Sequence, residues 1–276
     1  MTGKSILITG CSSGIGYDAA HGLARLGWRV FATCRKADDC ARLRAEGLES
    51  LPLDLADDDS RDAALDQVLQ ATGGTLDALY NNGAFALPGA VEDLPTDGMR
   101  SVFETNLFGT HALTLAVIPV MRAQGHGHIV NCSSVLGMVP MGWRGAYVAS
   151  KFALEGLTDV LRIEMRDTPI HIVTLAPGPI TSKIRENSIP HFERWIDWEA
   201  SPRAEQYHKS LLDRLYKSRG KDRFELPASA VTKALIHALS ARNPRPRYHI
   251  THATHLMGAA RRLLPVRVLD WMIAKG

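Results

Sequence analysis

The stretch that decides the fold is SILITGCSSGIG, Ser5–Gly16. A short apolar run, SILIT, breaks at Gly10 and gives way to a helix-period segment from about Gly14 to Leu26. Strand, glycine turn and helix make the first half of a βαβ unit. Gly10, Gly14 and Gly16 fall where the chain must turn sharply and where a phosphate could approach the backbone. Free N–H groups at the start of the helix would face that phosphate. The spacing is G-x3-G-x-G and differs from the standard G-x-G-x-x-G. By spacing alone the loop is no more than a tight turn. Its place between a first strand and a first helix makes it a dinucleotide loop.

The alternation continues along the chain. WRVFATC, LESLPLD, LDALYNN, GHIVNCS and IHIVTLAP read as strands, and helix-period segments separate them. One is DDDSRDAALDQVLQAT, with an acidic first turn; another runs from about Thr96 to Gln124. The expected fold is α/β: a single doubly wound Rossmann-type domain over residues 1–276, with a parallel sheet of about seven strands and helices on both faces. With 45% apolar and 22% charged residues, the composition is that of an ordinary globular chain. A net charge of +3 gives no basic field for nucleic acid. Cys11, Cys34, Cys40 and Cys132 lack metal-ligand spacing and read as reduced thiols in a cytoplasmic protein. The apolar run at the N-terminus is too short for a signal peptide. ALTLAVIPVM, Ala112–Met121, falls well short of the roughly 20 residues that a membrane span needs.

The second strand ends ATCRK. An NAD site would place an acid there for the ribose 2′-hydroxyl; Cys34 stands in that position, followed by Arg35 and Lys36. A guanidinium suits a 2′-phosphate, so NADP(H) is expected in preference to NAD(H), with Arg35 as its reader. Further on, YVASK places Tyr147 four residues ahead of Lys151, on one face of a helix. A cation beside a phenol favours phenolate, and a phenol tuned in this way can exchange a proton with a carbonyl or an alcohol.

These stretches together resemble the short-chain dehydrogenase/reductase family over about residues 3–182, and more weakly to the end. TGCSSGIG is similar to the family's dinucleotide loop, which implies cofactor contacts from Gly10, Ser12, Ser13, Gly14, Ile15 and Gly16. Asp54 and Leu55 match the adenine-contacting site after the third strand. NNGA, Asn81–Ala84, looks like the family's NNAG with glycine and alanine exchanged, and implies contacts from Asn82, Gly83 and Ala84. PGPITS, Pro177–Ser182, resembles the segment that cradles the nicotinamide, through Pro177, Gly178, Ile180 and Ser182. Asn106 falls at the family's catalytic asparagine, and Ser134, thirteen residues before Tyr147, at its catalytic serine; Ser133 is excluded by that count. The resemblance implies that Tyr147 is the general acid/base, that Lys151 tunes it and holds the cofactor ribose, that Ser134 binds the substrate oxygen, and that Asn106 holds a water linking Lys151 to solvent. No metal is required.

Residues 181–226 carry Phe192, Trp195, Trp198, Tyr207, Leu211, Leu212, Leu215 and Tyr216 without a strand signal, and are expected to form a substrate lid with an apolar wall. The glycine loop, RPRYHITHATH and the basic tail look most like the branch with 17β-hydroxysteroid and retinol dehydrogenases, which implies a hydrophobic alcohol, ketone or aldehyde. Apolar residues all round the helix near Asn106–Met121, and around the YVASK helix, point to a homodimer or homotetramer. Residues 251–276 form an amphipathic extension, split at Pro265, with Arg261, Arg262 and Arg267 among apolar residues. Packing on the domain is its expected role, with peripheral membrane contact as the lesser alternative. A non-catalytic NADP-binding sensor is the alternative function, but it would be expected to lack Tyr147 or Lys151. A sugar-nucleotide epimerase fits the glycine spacing and the short C-terminal region less well.

Overall fold

Seven strands form one parallel sheet in the computed structural model, which describes residues 3–217 and 224–275. Residues 218–223 of the expected lid and Gly276 of the tail lie outside the described residues. The strands are β1 (Ser5–Ile8), β2 (Arg29–Cys34), β3 (Glu49–Pro52), β4 (Ala78–Asn81), β5 (Gly127–Cys132), β6 (Ile170–Ala176) and β7 (Arg247–His249). Their order is β3-β2-β1-β4-β5-β6-β7. The winding direction reverses between β1 and β4, which opens a crevice beyond the carboxyl ends of those strands.

The helices follow in chain order: α1 (Gly14–Ala24), α2 (Ala37–Ala45), α3 (Asp58–Thr72), α4 (Thr96–Phe103), α5 (Thr110–Gln124), α6 (Gly145–Glu164), α7 (Ile184–Trp195), α8 (Ala204–Gln206), α9 (Asp213–Tyr216), α10 (Ser229–Ser240), α11 (His252–Leu263) and α12 (Val266–Lys275). Local chemistry sets their ends. The Asp57 carboxylate accepts from Ser60 N and caps α3, and Gly73, at φ +70°, closes it in the left-handed region.

Two cores sandwich the sheet. Ile6 and Ile8 of β1 face one way, into a cluster with Leu23 of α1 and Leu235 of α10. Leu7, between them, faces the other way, towards Val68 of α3 and Val117 of α5. This period of two is the signature of a strand buried on both faces. Each such fully buried aliphatic side chain contributes about 1.5–3 kcal/mol relative to exposure.

The expected long helix over Thr96–Gln124 is interrupted. Between α4 and α5, Glu104–Gly109 forms a π-helical turn that carries Asn106. Gly109 there presses against the strand-side loop: a Cβ on it would stand 1.8 Å from the Leu55 carbonyl oxygen.

In the segment after β6, Ile184, Arg185 and Ser188 line the crevice, but several of the large side chains expected to form its apolar wall lie elsewhere. Phe192, Tyr207, Leu211 and Leu215 are fully buried, but in a satellite core with Leu87, Ala90 and Val102. The Tyr207 hydroxyl donates to Asp93 Oδ2 and accepts from Ala90 N, each at 2.8 Å. These side chains hold the segment onto the loop after β4 and do not wall the crevice, because an aromatic large enough to line a lid also serves to anchor one.

In the tail, Thr254, Gly258 and Ala260 of α11 are buried, and Leu269 of α12 is covered. Leu263, Val266 and Trp271 stay exposed. Among the described residues no helix is long and apolar enough to cross a membrane.

Candidate active site

The glycine loop is built to admit a ligand. Gly10 has φ +72°, and a Cβ on it would lie 2.7 Å from Gly83 Cα, so this contact between two loops excludes any side chain. Asn82 Nδ2 donates to the carbonyls of Thr9 (3.0 Å) and Gly10 (3.1 Å). The Thr9 hydroxyl accepts from Asn82 N (3.0 Å) and Gly83 N (2.9 Å). The exchange of glycine and alanine in NNGA leaves this stitching intact, and Ala84 needs no left-handed backbone, since Trp143 is the one described non-glycine residue with positive φ. No side chain caps α1 and no acid lies in its first turn. Its leading N–H groups therefore present uncompensated positive dipole to the crevice.

A cleft of about 420 Å³ opens here. Of the expected cofactor residues, Gly10, Ser12, Ser13, Gly14, Ile15, Asn82, Gly83, Ala84, Pro177, Gly178, Ile180 and Ser182 line it. Ser134, Tyr147 and Lys151 line the same cleft. Gly16, Arg35, Asp54, Leu55 and Asn106 do not. The Asp54 carboxylate accepts from Ala56 N (3.0 Å) in its own turn, and Leu55 is buried beneath Gly83 and Gly109. Arg35 is exposed at the end of β2, and its charge reaches His191 of α7. Burial, then Arg35 and Arg194, pull His191 below its ordinary value.

One face of α6 supplies the reactive groups. Tyr147, Ser150 and Lys151 are all buried on it. Lys151 Nζ donates to the Cys132 carbonyl at 2.8 Å and lies 5.6 Å from the centre of the Tyr147 ring. Burial pulls the Lys151 ammonium below its ordinary value, while Cys132 and Glu155 oppose that shift. Burial pushes the Tyr147 phenol well up, with Cys132 adding to the rise; a hydrogen bond with Ser134 and the Arg144 charge pull it down. The expected acidification of Tyr147 by Lys151 is thus corrected. Desolvation dominates, and Ser134 and Arg144 provide the opposing pull. Ser134 Oγ also accepts from Leu136 N at 3.1 Å, which fixes its direction. Ser133 faces Glu155 instead.

Asn106 works from behind. Its Oδ1 accepts from Phe85 N (3.0 Å), and its Nδ2 donates to Phe85 O (2.9 Å) and Ser150 Oγ (3.1 Å). Ser150 Oγ in turn donates to the Tyr147 carbonyl at 2.8 Å. The side chain therefore clamps the loop after β4 to the turn of α6 that carries Tyr147, and is a positioning group.

Some site residues escaped the reading of the sequence. Arg42 of α2 donates from Nη2 to the Ser12 carbonyl at 2.6 Å and steadies the glycine loop. Phe85, Arg144 and Ser188 line the cleft. Arg144 had a signal, since it stands three residues before Tyr147; Arg42, thirty residues from its partner, had none.

The model of the short chain dehydrogenase family matches residues 4–191. The chain belongs to that family. Among the relatives of this short-chain dehydrogenase, the uncharacterized oxidoreductase YbbO of Escherichia coli (strain K12) is 37% identical over 268 residues, covering 97% of this chain and 93% of that protein. The 17-beta-hydroxysteroid dehydrogenase type 6 of Rattus norvegicus is 30% identical over 280 residues, covering 98% and 88%. A short chain dehydrogenase/reductase from Burkholderia phymatum, solved in complex with NAD, superposes with a TM-score of 0.78 at 29% identity, over 95% of this chain and 92% of that one. This short-chain dehydrogenase is therefore an oxidoreductase by family.

Proposed function

We propose that this protein is an NADP(H)-dependent oxidoreductase that interconverts a hydrophobic alcohol and its ketone or aldehyde, with Tyr147 as general acid/base. The observation that carries the reading is the convergence of Ser134, Tyr147 and Lys151 on the cleft that also holds the glycine loop. A loop contact that a Cβ would break and an uncapped α1 fit a dinucleotide pyrophosphate. Gly10–Gly16, Asn82–Ala84, Lys151 and Pro177–Ser182 would hold the cofactor. When bound, the nicotinamide supplies or accepts the hydride.

The chain's own residues handle the proton and the oxygen. A phenol raised by burial is protonated at neutral pH, the form that donates to a carbonyl oxygen. Ser134 hydrogen-bonds the same oxygen and stabilises negative charge as it develops there. Lys151, held on Cys132 O with its ammonium 5.6 Å from the centre of the Tyr147 ring, stands where it would hold the cofactor ribose, while Ser134 and Arg144 favour the phenolate that results. Asn106 and Ser150 keep Tyr147 in register with the loop after β4. Phe85, Leu136, Met141 and Ile184 give the cleft an apolar wall suited to a hydrophobic substrate.

Cofactor preference rests on Arg35 and on Cys34 in the place of an acid. Titrating NADPH and NADH into wild type and Arg35→Ala should show NADPH weakened by about 1.5–3 kcal/mol and NADH little changed. A wild type that prefers NADH refutes the preference.

Assembly is the second part of the proposal. Phe108 and Leu115, beside and on α5, and Val160 and Ile163 on α6 are each more than half exposed. That exceeds what scattered surface apolars need, and the faces suit a second copy of the chain. Light scattering at micromolar concentration should give two or four times the 30.2 kDa chain mass. A monomer contradicts it.

A further inference from the structure

Arg144 lines the cleft beside Tyr147, and the mechanism above assigns it no ligand. Its surroundings are built with some strain. Trp143, just before it, holds φ +64°, a left-handed conformation that a bulky residue rarely adopts. Two contacts hold that conformation. Gly89 N donates to the Trp143 carbonyl at 3.1 Å within a parallel bridge between Gly89 and Arg144, and the Trp143 ring packs on Tyr207 at 4.7 Å between centroids. Strain over-determined in this way is kept where a side chain must be aimed.

The guanidinium so placed is poorly matched by the protein. Its one described hydrogen bond, Nη1 to the Trp143 carbonyl, is long at 3.4 Å. Five N–H donors are available on an arginine. No described carboxylate pairs with it, and the charge that acts on it most strongly is another cation, Arg214. A half-buried cation without an anion is unfavourable unless something else neutralises it. The other cations of the cleft are placed differently. Arg185 donates to the carbonyls of Arg214 and Lys217 and lies 3.9 Å from Glu186, and Lys183 is exposed.

We infer that Arg144 is a specificity-determining anion site that binds a substrate carboxylate, so that the substrate is an oxo acid or hydroxy acid with an apolar chain. A guanidinium takes a carboxylate through two parallel hydrogen bonds. Arg144 immediately precedes α6, three residues before Tyr147, and both line the cleft, which sets a carboxylate on Arg144 a few bonds from the reacting carbon. Phe85, Leu136, Met141 and Ile184 then receive the chain. The inference rests on the cleft being a hydride-transfer site, and narrows its substrate from hydrophobic to amphipathic.

The test compares γ-oxodecanoate and its β-oxo isomer with their methyl esters, using NADPH as reductant. Wild type should show a higher kcat/KM for the acids. Arg144→Gln should lower the acid-to-ester ratio roughly 10- to 100-fold, and Arg144→Lys should retain part of it. Calorimetry gives a readout independent of turnover: decanoate should bind wild type and be lost in Arg144→Gln, while NADPH affinity and melting temperature hold. A wild type that reduces ester as readily as acid overturns the inference without any variant. So does a ratio that falls with Lys183→Gln and not with Arg144→Gln, or an Arg144→Gln variant whose main loss is NADPH affinity. If no carbonyl is reduced, the hydride-transfer reading fails, and decanoate binding still decides the role of Arg144.

Discussion

Tyr147→Phe should cut carbonyl reduction by roughly a hundred- to ten-thousand-fold while the protein still binds NADPH. The substitution removes one oxygen from a side chain that is 8% exposed and leaves the ring in place beneath Lys151. The fold and the nucleotide loop are untouched. What disappears is the proton donor, together with the downward pull that Ser134 exerts on it. Steady-state kinetics with any accepted ketone, alongside fluorescence titration of NADPH, separates the two effects. A Phe variant with near-normal kcat would remove Tyr147 from the chemistry and leave Ser134 as the remaining polar group for the oxygen.

Gly109→Ala should destabilise the fold by about 3 kcal/mol, because the new methyl group meets backbone that cannot swing aside. Its Cβ would stand 1.8 Å from the Leu55 oxygen and 2.6 Å from the Leu55 carbonyl carbon. Leu55 cannot retreat easily, since Arg61 also donates to that oxygen and the Leu55 side chain lies under Gly83. The π-helical turn must shift instead, and Asn106 shifts with it. Melting should fall by about 6–12 °C, at roughly 2–4 °C for each kcal/mol. The surviving folded protein should lose kcat as the clamp from Asn106 to Phe85 and Ser150 loosens. Unchanged melting would mean that the turn has slack the close contact does not suggest.

The sheet was legible because its strands are short apolar runs between helix-period segments, and Ser5–Gly16 alone announces the first crossover. Tyr147 and Lys151 were legible from their spacing on one helix face, and Ser134 from its match to the serine of the family that the sequence resembles. Asn106 was legible as a residue, but the clamp that its side chain makes was not. Its partners Phe85 and Ser150 come from other elements, and the π-helical turn that carries it ends at Gly109, packed against Leu55 far away in the sequence. The balance of charge on Tyr147 was misread for a related reason. The nearest cation in the sequence pattern, Lys151, is engaged with Cys132 O, and burial of the phenol depends on packing that no short motif encodes. The aromatics of residues 181–226 misled because composition does not say which way a side chain faces; Phe192 and Tyr207 turn inward to anchor the segment whose apolar wall they were expected to form.

The central claim is that this cleft transfers hydride to a carbonyl and does more than bind a nucleotide. Single-turnover mixing of the wild-type protein and NADPH with a panel of apolar ketones, aldehydes and oxo acids tests it most directly. Cofactor fluorescence and chromatography of the alcohol give the two readouts. The expected result is one equivalent of a single alcohol stereoisomer for each NADPH consumed, lost in Tyr147→Phe. NADPH that binds tightly yet stays reduced across the whole panel would contradict the claim and leave a nucleotide-binding sensor on this fold.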